Sequence, residues 1–131
     1  MPARRLFGDE TADYQAEINR HYSQGPPANW WERYISTYAT MHPYEDFAET
    51  WAHFLHMTDT VETAHIYGLA RTGGIEDSPS FRAFVTDTWI PLSTALNMVN
   101  RSMGKADLYP FVIPDPVLDK LGFIAALRPG S

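Results

Sequence analysis

From His42 to His56 the chain reads His-Pro-Tyr-Glu-Asp-Phe-Ala-Glu-Thr-Trp-Ala-His-Phe-Leu-His, and this stretch narrows the choice of fold more than any other. At about 100° per residue, Phe47, Trp51, Phe54 and Thr58 share one side of a helix, with Ala48 and Leu55 on its flank. The opposite side carries Glu45, Glu49, Ala52 and His56, with Asp46 and His53 beside them. The first face is expected to be core. The second holds carboxylates and imidazoles, a set that suits either water or a metal ion. Pro43, placed at a first helical position, opens the helix.

The rest of the chain is punctuated as helices too. Residues 1–8 read as a loose lead-in, with Asp9 as an N-cap and Glu10 in the first turn. Tyr14, Ile18 and Tyr22 keep helical spacing until Gly25-Pro26-Pro27 stops it. Trp30, Tyr34 and Tyr38 at i, i+4 and i+8 predict a second helix from Pro27 or Ala28 to about Thr40, its aromatics packed as core. The central helix runs on to about Leu69, with Thr58-Asp59-Thr60 as its weakest point. Ser78-Pro79 starts another helix, Pro91 kinks or restarts it, and Gly104 ends it. Tyr109 to Pro114 is bounded by prolines and reads as extended. Asp115-Pro116 caps a last helix through Leu127, and Pro129-Gly130-Ser131 is a tail. No segment alternates like a strand. The expectation is an all-α fold: a compact bundle of five or six helices in a single domain over residues 1–131.

With 131 residues the chain can bury a sizeable core. Its formal charge of -6 argues against nucleic acid or an anionic membrane as partner. No apolar run approaches the roughly 18 residues that span a bilayer. The N-terminus has no hydrophobic signal core, which predicts a cytoplasmic protein if Met1 is the true start. Cysteine is absent, so any transition metal would have to sit on His, Asp and Glu.

There is no glycine-rich phosphate loop, no G-x-S-x-G elbow and no H-E-x-x-H. Glu49 and His53 are four apart, and His53 and His56 three apart, so a Glu49/His53/His56 metal cluster is geometrically allowed. The same spacing fits an ordinary wet helix face. Glu45, third in the helix opened by Pro43, has two compatible uses. It can reach back to cap the chain entry, or, kept ionised by the helix dipole, it can ligate a metal.

The run from Tyr34 to His56, Tyr-Ile-Ser-Thr-Tyr-Ala-Thr-Met-His-Pro-Tyr-Glu-Asp-Phe-Ala-Glu-Thr-Trp-Ala-His-Phe-Leu-His, resembles the bacterial putative zinc-binding metallopeptidases, a zincin-like family. The Gly25-Pro26-Pro27 bend, the Asn100 to Gly104 turn and the Asp107 to Val112 segment extend the match from about Leu6 to Leu127. The resemblance implies the C-terminal helical part of a gluzincin-type enzyme, which hydrolyses peptides with zinc-activated water. In such sites an H-E-x-x-H helix supplies two histidine ligands and a general-base glutamate, and a downstream glutamate is the third ligand. The resemblance then implies Glu45 as that third zinc ligand and Glu49 as an acceptor orienting a ligand histidine. It also implies Tyr38 as a hydroxyl that stabilises the oxyanion, with core packing as the rival role.

In the family the H-E-x-G-H segment lies upstream, and no such motif stands before Tyr34 here. The expectation is therefore a C-terminal portion, inactive and zinc-free alone, whose natural start is not Met1. Glu45, Glu49 and Tyr38 would line a groove left open by the missing helix. The expected partners are a peptide or protein substrate once that helix is supplied, or a second copy through the open groove. Two other readings stand beside this one: a non-enzymatic helical binding module on the same scaffold, and a rebuilt metal site on Glu49, His53 and His56.

Overall fold

Prolines, glycines and short polar caps set the element boundaries. The computed structural model describes residues 2–127, so the tail at Pro129-Gly130-Ser131 lies outside them. Among the described residues there are six α-helices and no strand, an all-α fold. They are α1 (Pro2–Phe7), α2 (Tyr14–Gln24), α3 (Pro43–Ile66), α4 (Phe81–Phe84), α5 (Ile90–Ser102) and α6 (Asp115–Leu127). Among the described residues no helix is long and apolar enough to cross a membrane.

Several expected boundaries move. The lead-in is the helix α1, not loose chain. Asp13 rather than Asp9 caps α2, its carboxylate accepting from the Ala16 N–H at 3.1 Å. Asp9 instead closes a local turn onto Thr11. The helix expected from Pro27 to Thr40 is absent. Asn29 takes a left-handed φ of 56°, and the chain beyond it forms two single 3₁₀ turns, Trp30–Glu32 and Tyr38–Thr40. Aromatic spacing could not outweigh two prolines and a left-handed residue at the start of the segment. Conversely α3 passes Thr58-Asp59-Thr60 unbroken. The Thr58 hydroxyl is satisfied inside the helix by the Leu55 carbonyl at 3.2 Å.

Ser80, not Ser78, caps the helix at Phe81. Pro91 is accommodated by a π-type turn over Val85–Trp89, after which α5 continues with the proline in its first turn. Proline offers no N–H to the preceding turn, so the ladder shifts register just before it. Residues 109–114 are non-helical, as expected.

The chain divides into two compact units, Met1–Phe54 with Phe111–Ser131, and Leu55–Pro110. In the first, α1 packs on α6. Phe7 meets Phe123 and Phe47 edge-on at 6.1 and 5.3 Å, over a core that includes Ile35, Ala39, Val117, Leu121 and Ile124. In the second, Met57, Val61, Phe84, Val85 and Trp89 are buried. There Asn97 grips the backbone of Tyr109 through two reciprocal 2.9 Å bonds.

The expected orientation of α3 is corrected. Its buried stripe is Asp46, Thr50, His53, Phe54, Met57, Val61 and Ala64. Phe47 and Leu55, placed on or beside the core face by the apolar pattern, are exposed. The stripe can turn toward Asp46 because α6 brings a counter-charge to it.

Candidate metal centre

The first turn of α3 is built by His42. Its carbonyl accepts from the Asp46 N–H at 3.0 Å, and its Nδ1 accepts from the Tyr44 N–H at 3.0 Å. That acceptor role puts the ring proton on Nε2, which donates to the Ala12 carbonyl at 2.9 Å. A buried imidazole thus serves as N-cap and ties α3 to the segment before α2.

With the cap supplied by His42, the Glu45 carboxylate is turned elsewhere. It is half-buried and accepts a hydrogen bond from the Tyr14 hydroxyl on α2. That bond holds the Tyr14 phenol above its ordinary pKa. One turn on, about 6 Å along the axis, Glu49 accepts from the Ser36 hydroxyl at 3.2 Å. The same Ser36 oxygen takes the Ala39 N–H at 3.2 Å and so secures the turn Tyr38–Thr40. The two glutamates are therefore neighbours on one helix, each held by a hydroxyl from outside it. Tyr38 is placed differently. It is exposed, with its ring stacked on His21 at 6.2 Å.

The remaining histidines do not join the glutamates. His53 is buried with its ring edge-on to Phe111 at 4.6 Å. Among the described residues no three His, Asp or Glu side chains come together to hold a metal, which removes the Glu49/His53/His56 cluster. A zinc enzyme site uses three protein ligands and a water. Glu45 can furnish one carboxylate, so the residues present do not make a complete zinc site.

Behind these glutamates lies a buried ion pair that no sequence motif signals. Lys120 of α6 and Asp46 of α3 are both nearly inaccessible, with Nζ to Oδ2 at 2.6 Å. The ammonium also donates to the Arg33 carbonyl at 2.9 Å and sits 4.4 Å from the centre of the Tyr34 ring. Burial pushes the Asp46 carboxyl up to about 6, against the lowering effect of Lys120 and the Thr50 hydroxyl. Burial and the Asp46 charge likewise raise the Tyr34 phenol. The one hint of this pair along the chain is a lysine on the apolar face of the last helix, between Val117 and Ile124.

A family model described as "Putative zinc-binding metallo-peptidase" matches residues 1–127. The chain belongs to this family. Uncharacterized proteins from Mycobacterium tuberculosis (strain H37Rv) and Mycobacterium bovis are each 54% identical to it over 123 residues. The match covers 91% of this chain and 36% of each relative, so the chain spans about a third of their length. No solved structure matches.

Proposed function

We propose that this chain supplies the carboxylate half of a peptidase zinc site, with Glu45 as one ligand and Glu49 orienting a ligand from the other half. The histidine ligands and the general base would come from a part of the protein outside these 131 residues, and the substrate would be a peptide. The observation that carries the proposal is the division of labour at the start of α3. His42 takes the capping role that a third-position glutamate often fills. Among the described residues the Glu45 carboxylate is hydrogen-bonded to Tyr14. Membership of a zinc-binding family supports it, as does the greater length of the relatives. Tyr14 is then the phenol beside the ligand carboxylate, where it would hold one oxygen and leave the other to the metal.

The test replaces the matching 123 residues of the M. tuberculosis relative with this chain and measures bound zinc by atomic emission. The proposal expects one zinc per chimera, loss of that zinc in Glu45→Gln with helical circular dichroism unchanged, and no stoichiometric uptake by the chain alone. A zinc-free chimera, an undiminished Glu45→Gln variant, or tight binding by the isolated chain would each defeat it.

A further inference from the structure

In this acidic protein, four of the ten lysines and arginines line one cleft. The cleft has a volume of about 450 Å³ and lies in the first unit, between α1, the Arg33–Tyr34 segment and α6. Two of the four cations are already used. Arg4 forks onto Glu10, with Nε and NH2 each 2.8 Å from a carboxylate oxygen. Lys120 is turned inward to Asp46. The other two, Arg5 and Arg33, are exposed and have no ion-pair partner among the described residues. Leu6, Phe7 and Pro116 supply apolar wall. The Asp119 carboxylate also lines the cleft and has an interaction of its own.

We propose that this cleft binds a carboxylate carried on an apolar body, held by Arg5 and Arg33 with the body against Leu6, Phe7 and Pro116. Guanidinium groups match a carboxylate as planar forks, and each such charge-assisted bond is stronger than a neutral one. An unpaired arginine in a concave, partly apolar site keeps that capacity free. The negative Asp119 favours a singly charged ligand over a phosphate dianion. A peptide ending in a free carboxylate after an apolar side chain has this chemistry, as does a small apolar acid. Glu45, Glu49 and Tyr38 are not on the lining, so the site stands independently of the zinc reading.

The probes are N-acetyl-leucine, N-acetyl-leucine amide and phenyl phosphate, titrated into the chain and followed by amide chemical shifts. The acid is expected to bind with perturbed resonances at Arg5, Arg33 and Pro116 neighbours, and to weaken as salt rises. Loss of the charge in the amide should weaken binding about tenfold, as should Arg5→Gln or Arg33→Gln taken singly. N-acetyl-Ala-Leu separates the sources: tighter binding than N-acetyl-leucine assigns the site to peptide C-termini, equal binding to small acids. Equal affinity for acid and amide, affinity unchanged in both arginine variants, or binding of phenyl phosphate alone would overturn the proposal. Both arginines are exposed, so their replacement leaves the fold in place, which circular dichroism checks.

Discussion

Replacing Lys120 with Met keeps an unbranched apolar stem and removes the charged end, which isolates the worth of the buried pair. Two costs arise at pH 7. The first belongs to Asp46. With Lys120 present its carboxyl titrates at about 6, and Lys120 is the largest influence holding it down. Without Lys120 the carboxyl is pushed higher still by burial, at a cost of about 1 kcal/mol for each further unit below the working pH. The second cost is the lost hydrogen bond to the Arg33 carbonyl, about 1 kcal/mol. Together they destabilise the variant by about 2 kcal/mol, less than the roughly 3–5 kcal/mol of a buried pair whose remaining charge cannot neutralise. The sign with pH comes from linkage. A carboxyl raised on folding binds its proton more tightly in the native state, so stability is fullest below the unfolded value of 3.8 and falls as pH rises toward 6. In the wild type that fall ends near 6; in Lys120→Met it continues. Urea unfolding followed at 222 nm should therefore show the two proteins diverging above pH 6 and converging at pH 5, where only the hydrogen-bond cost remains. A difference that is the same at pH 5 and pH 7, or below about 0.5 kcal/mol at pH 7, would refute the reasoning.

His42→Ala should cost about 1–2 kcal/mol in urea unfolding, because it strips the cap from the Tyr44 N–H and a donor from the Ala12 carbonyl. His42→Asn should recover part of that loss through the cap alone. Glu45→Gln should bring the Tyr14 phenol back down toward the ordinary tyrosine range, since the carboxylate is what raises it; ring ¹³C shifts across an alkaline titration report this directly. Gly8→Ala should destabilise by about 1 kcal/mol or more in thermal melts, because Gly8 holds a φ of 97° and an added Cβ would lie 3.4 Å from Pro43 Cγ.

The helices that could be read from the sequence were those whose ends are set locally. Gly25 stops α2 where expected, Pro43 opens α3, and the all-α class comes from helical spacing with no strand alternation. The segment from Pro27 to Thr40 misled because aromatic spacing of four is neutral between a helix and a coil whose rings simply pack nearby. Backbone conformation decided it, and a left-handed Asn29 carries no sequence mark that separates it from a helical Asn. The burial of α3 was illegible for a longer-range reason. Asp46 reads as surface until Lys120, 74 positions later, is known to meet it. A buried carboxylate is a pairwise fact, and no window along α3 contains its partner.

The family resemblance implies Tyr38, seven residues before Glu45, as an oxyanion-stabilising hydroxyl. In three dimensions the phenol at Glu45 comes from Tyr14, 31 positions away on another helix. Tyr38 lies in the second of the two short turns and stacks on His21, while Tyr14 opens α2. Spacing within one helix set the relation of Glu45 to Glu49, because helix geometry is rigid over one turn. Each group that acts on them from outside α3 (Tyr14 on Glu45, Ser36 on Glu49) depended on how a loop ran. If Glu45 is a zinc ligand, Tyr14→Phe in the chimera should weaken zinc binding about 10- to 100-fold, as loss of a partner that orients a ligand does. Tyr38→Phe should leave it unchanged. Undiminished zinc binding by Tyr14→Phe in a zinc-competition assay would refute the orienting role given to Tyr14.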